Sequence, residues 1–221
     1  MATSRLKLYN RALSICGETV LAALTENRKP RHLLDQAWDA DVVKEALENG
    51  QWRFARRTQR IDYDPDITPE FGPRRAFGRP SDWCATCALS ASEYMTPPLL
   101  AVREEGGHWY ADVDEIYLSY VSDGSAYGGD YSLWPVQFAE YVATMMAGKI
   151  VLSLTADKAR WQAILHPRTG SLRDARLKAR NHDSMGEPVR FPPPSSWLLS
   201  RGGRRGRGTR SDGGSTGSLT G

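Results

Sequence analysis

The chain has 221 residues, room for one domain with a sizeable excursion or two small ones on the guide of about 100–200 residues per domain. Apolar residues make up 40%, which excludes a wholly disordered chain, and no apolar run approaches the roughly 18–20 residues of a membrane span, so a soluble protein without a signal peptide, made in a cytoplasm, is expected. The net charge of +3 is a property of one end: residues 200–221 hold five arginines against one acid, so the other 199 residues carry −1, and a basic body built to grip nucleic acid is excluded.

In chain order, a first helix is predicted from Ser4 to Cys16-Gly17. Leu6, Tyr9, Leu13 and Cys16 fall on one face, with Ser4 suited to the N-cap and Gly17 to the position after the end. A second long helix is predicted from Pro30 to Asn49-Gly50, with Leu34, Ala37, Trp38, Val42 and Leu47 as its apolar stripe. Gln51-Trp52-Arg53-Phe54-Ala55 alternates and reads as a short strand or a packed extended segment. From Arg60 to Tyr131 six prolines make any long helix untenable, which predicts a strand-and-loop region. Leu99 to Val102 and His108 to Ala111 read as a hairpin about a Gly-containing turn, and Ile116 to Val121 is the clearest further strand. Helix returns at Trp134-Pro135 and runs past Ile150, apolar on much of its circumference and so expected to be the most buried. A further helix after Thr155 is interrupted at His166-Pro167. The last, Ser171 to about His182, sets Leu172, Ala175 and Leu177 among many cations. Beyond Gly186, Pro188, Pro192, Pro193 and Pro194 imply an extended arm, followed by an apolar Trp197-Leu198-Leu199 cluster and a Gly-rich terminus.

The fold class expected is α+β. Residues 1–58 and 132–187 form a discontinuous helical bundle, 59–131 a β-rich insertion with a small sheet, and 188–221 an extended Pro-rich arm with an Arg/Gly tail.

Candidate chemistry is sparse. Cys84-Ala85-Thr86-Cys87 has the spacing of a zinc or redox pair, but it lacks a second ligand pair and a βαβ setting, so it reads as structural, as does Cys16 on an apolar helix face. The four histidines are scattered singly, without a nucleophile elbow or a phosphate loop. Asp62, Asp64 and Asp66 alternate like the start of a calcium loop, yet Ile67 and Pro73 occupy the positions that need Gly and Glu. No enzyme activity, cofactor or metal is therefore expected. The tail arginines can neutralise phosphates or pair with carboxylates, or they can form a plain solvated terminus.

Across the chain, the ordered set of Tyr9-Asn10-Arg11-Ala12-Leu13 with Gly17, the second helix ending in Gly50-Gln51-Trp52-Arg53-Phe54-Ala55, Arg79-Pro80-Ser81-Asp82, Ile116-Tyr117-Leu118-Ser119-Tyr120 before an acidic loop, and Trp134-Pro135 to Phe138 resembles the tail tubular protein A family of podovirus-type phages. The pieces span about residues 5–180; the family's usual Leu before Pro-x-Asp is here Arg79, and the Arg/Gly tail lies outside the family pattern. The resemblance implies a structural virion protein, a head-to-tail adaptor that forms a homo-oligomeric ring of about twelve copies. Such a ring sits between the portal protein and the tail nozzle protein and extends the channel through which genomic DNA passes without sequence-specific binding. The arm is then expected to dock on portal or on a neighbouring subunit. Trp197, Leu198 and Leu199 would act as its anchor, and Arg201, Arg204, Arg205, Arg207 and Arg210 would meet acidic side chains. The alternative is a nucleic-acid-binding accessory protein acting through the basic tail.

Overall fold

The structure, a computed structural model, describes residues 3–186, and residues up to Gly186 form one compact unit. Six α-helices and two small antiparallel sheets make it an α+β fold. The arm and tail, residues 187–221, lie outside the described residues.

Helix α1 (Arg5–Cys16) is bounded as its sequence predicts. Ser4 Oγ accepts from the Lys7 amide, and Gly17 turns the chain with a φ of 73° that few side chains tolerate. The predicted single second helix is two: α2 (Lys29–Asp39) and α3 (Val42–Glu48) are separated at Asp41, whose φ is 55°. The apolar stripe continues across the break, since Leu34, Ala37, Val42 and Leu47 are all buried. Residues Gln51–Ala55 are not a strand either. They close in a 3₁₀ turn over Arg53–Ala55, because the Trp52 indole must turn inward to donate to Ala46 O at 2.9 Å, and strand β1 (Arg56–Asp62) begins only after it.

The middle of the chain makes two three-stranded sheets rather than one. The first has the order β1-β6-β3, with β3 spanning Trp83–Ser90 and β6 spanning Glu115–Ser122; the second has the order β2-β5-β4, with β2 at Arg75–Gly78, β4 at Arg103–Glu105 and β5 at His108–Ala111. The hairpin about Gly106-Gly107 forms as expected, but its first strand is Arg103–Glu105, with Leu99 and Val102 packed instead against the core between the sheets. Strand β6 is the hinge of the whole arrangement. Its alternate residues Ile116, Leu118 and Tyr120 meet Phe77 and Trp109 of the second sheet, while Val121 joins the helical core, as period-two geometry demands.

Helix α4 (Val136–Thr155) runs through the centre of the bundle, with 11 of its 20 residues buried. It packs with α1, α2, α3, α5 (Lys158–Leu165) and α6 (Ser171–Met185), which joins the first and last of the described helices into one discontinuous bundle. Pro135 stands just outside α4 at its N-cap rather than in its first turn. The result is three layers: helices, first sheet, second sheet.

Candidate functional site

The segments that carry the resemblance each make contacts between elements of the chain. Tyr9 donates from its hydroxyl to Asp35 Oδ1 at 2.8 Å, and Asp35 also takes Arg5 and Arg31, so α1 is clamped to α2. Asn10 pairs with both backbone groups of Leu21, at 2.9 and 2.8 Å, pinning the loop after α1. Arg11 forks onto Glu140 of α4 through two 2.7 Å bonds, the bidentate geometry that guanidinium and carboxylate share.

The two tryptophan segments meet in an aromatic cluster. Phe138 lies 4.9 Å from Trp52, 4.7 Å from Phe54 and 4.9 Å from Trp134 between ring centroids. The Trp134 indole donates to Gly128 O at 2.8 Å, and Gly128 must be glycine because a Cβ there would strike Ser122 O and the Leu47 side chain. One buried cluster thus holds the start of α4 against the chain leaving α3.

Asp82 is the polar counterpart. Its carboxylate accepts from Arg57 of β1 at 2.8 Å and from Tyr120 of β6 at 3.0 Å, with Ser122 donating as well, while its backbone oxygen accepts from Asp123. Burial alone would raise its pKa, but these hydrogen bonds outweigh it and hold the carboxyl below the usual aspartate range. Two of the resembling segments, Arg79–Asp82 and Ile116–Tyr120, are therefore bonded to each other.

The cysteines pack into or against the helical core. Cys84 and Cys87 are the extra residues of two irregularities in the β3 register against β6. On a regular strand a spacing of three would send them to opposite faces; the bulges turn both toward the helical core. Burial pushes the Cys84 thiol up to about 12 and Cys16 to about 11, and raises Cys87, the reverse of what a nucleophile needs. Among the described residues no group of three or more His, Cys, Asp or Glu side chains could hold a metal ion, and no helix is long and apolar enough to cross a membrane.

The predicted partner-binding residues Trp197, Leu198, Leu199, Arg201, Arg204, Arg205, Arg207 and Arg210 all lie outside the described residues. Two features of the described surface were not anticipated. One is a cleft of about 550 Å³ between the end of α3, α4 and α6, rimmed by Arg173, Arg176 and Arg180. The other is the loop after β1, with Phe71 exposed at 71% beside a run of acids. The i, i+3, i+7 spacing of the α6 arginines was the available signal for the cleft, since it sets all three on one helix face. No family model matches the chain, and no curated protein matches it significantly.

Proposed function

We propose that the chain is a structural virion protein: a head-to-tail adaptor whose copies close into a ring of about twelve between portal and tail nozzle, extending the DNA channel. The observation that carries this reading is the set of contacts just described. Every segment in which the sequence resembles the tail tubular protein A family makes contacts that hold one element of the chain to another. A part that works by shape needs its elements held together by contacts of this kind. Burial raises the pKa of all three thiols and so favours their protonated form. The described residues hold 23 Lys and Arg against 24 Asp and Glu, a balance that suits a channel through which DNA slides, because a strongly basic lining would grip phosphates.

Mass measurement with and without purified portal tests the reading. A ring that forms alone or on portal is the expected result. A chain that stays monomeric beside portal, and binds DNA with a steep salt dependence, overturns it in favour of the accessory-protein alternative.

A further inference from the structure

The α3–α4–α6 cleft has an apolar floor of Tyr141, Met145, Leu165 and Leu172 beneath its arginine rim. Among the described residues one carboxylate lines it, Glu45, and it is already paired with Lys149 at 2.6 Å. Arg173 lies 3.9 Å from the Asp174 carboxylate, whereas Arg176 and Arg180 both donate to the Asn49 carbonyl and among the described residues neither has a carboxylate within ion-pair distance. Arg176 Nε is buried with no hydrogen-bond partner among the described residues. Such a surface fits an occupant that brings carboxylates for the rim and an apolar group for the floor.

The loop 62–72 of this chain has that composition. It carries Asp62, Asp64, Asp66 and Glu70 and no Lys or Arg; Asp62 pairs with Arg60, and Phe71 beside them is covered on one face by the Arg103 guanidinium, 5.1 Å from the ring centroid, and is otherwise exposed. None of its residues lines the cleft of its own chain. The wider charge distribution points the same way. Residues 56–131, from the start of β1, hold 7 basic against 13 acidic side chains, and the remaining described residues hold 16 against 11, so the β part carries −6 and the helical part +5.

We infer that the 62–72 loop of one copy docks in the α3–α4–α6 cleft of a second copy, with Phe71 on the apolar floor and Asp66 and Glu70 among Arg173, Arg176 and Arg180. The inference rests on the ring reading. The contact is heterologous, loop to cleft, which is the kind that repeats around a closed ring. Opposite charge on the two parts steers copies into this order and repels like parts, while Phe71 supplies the buried anchor that exposed ion pairs do not.

The test uses two variants of the full chain that alter exposed side chains: a loop variant, Asp66→Lys with Glu70→Lys and Phe71→Ser, and a cleft variant, Arg173→Glu with Arg180→Glu. Sedimentation mass is measured with and without portal. Each variant alone is expected to self-associate at least tenfold more weakly than the wild type. A mixture of the two is expected to stop at a one-to-one dimer, because only one intact loop and one intact cleft remain to pair; a misfolded variant could not give that product. If both variants form rings like the wild type, the inference fails and the ring reading stands. Variants that form rings but no longer bind portal also overturn it, since the cleft then serves portal. A mixture of folded variants that gives no dimer overturns it as well. A wild-type chain that is monomeric both alone and on portal overturns the inference and the ring reading together.

Discussion

A carboxylate only 16% exposed must have its charge answered by donors, and Asp82 has three, from Arg57, Tyr120 and Ser122. Asp82→Asn keeps the shape but removes the charge and turns an amide N–H₂ toward one or more of those donors. A loss of about 2–3 kcal/mol in unfolding free energy is expected, read by urea titration. The pH dependence follows from the lowered pKa. The stabilisation is fully present above the unfolded aspartate value of about 4 and is lost as pH falls through the lower folded value. The gap between wild type and Asp82→Asn should therefore stay constant from neutral pH to about 5 and shrink below 4; a gap that widens on acidification contradicts the assignment. Single residues differ in how far they can be read ahead of the fold. Ser4 and Gly17 mark their helix ends because capping is local, a matter of which side chain or φ satisfies the nearest amides. Asp82 is a member of a short motif in the sequence, and its partners, 25, 38 and 40 residues away, are set by strand pairing that no local pattern encodes.

Elements were legible where one periodicity ran unbroken to a clear stop. Helix α4 qualifies, since Phe138, Tyr141, Val142, Met145 and Met146 recur at helical spacing and all are buried. The break between α2 and α3 was not legible, because Asp41 leaves the helix through backbone geometry while the stripe from Leu34 to Leu47 keeps its phase. Strand β3 was hidden for the opposite reason: its two bulges erase the alternation that identifies a strand, and its residues Ala85, Thr86 and Ala88 are small. The same geometry at the end of α4 yields a test. Ala156 caps that helix with its amide on Leu152 O at a φ of 53°, a conformation that costs a residue with a Cβ about 1 kcal/mol and glycine much less. After glycine's greater entropy loss, Ala156→Gly should stabilise the chain by about 0.5 kcal/mol and raise the melting temperature by about 1–2 °C. An unchanged or lower melting temperature would mean that α4 ends differently.

For the whole molecule the two readings of function differ in where positive charge is spent. In the proposed ring the +5 helical part of each copy faces the −6 β part of its neighbour, so the charges that are segregated within one chain are matched between chains, and DNA in the channel meets a nearly neutral wall. The accessory-protein reading instead assigns DNA affinity to Arg201, Arg204, Arg205, Arg207 and Arg210. Counterion release puts a number on that: five arginines on duplex phosphates give a slope of log affinity against log salt of about −4.5. Deleting residues 187–221 would abolish it. The adaptor reading expects assembled rings to show no measurable DNA affinity at physiological salt, and a slope well shallower than −4.5 when binding is forced at low salt. Salt titration of full-length and shortened chains against one duplex distinguishes the two. A steep slope that survives in the assembled ring and disappears with the tail would assign the arginines to DNA, whereas a shallow slope with or without the tail leaves them for protein carboxylates, the partners that Arg/Gly segments bind through the same forked hydrogen bonds.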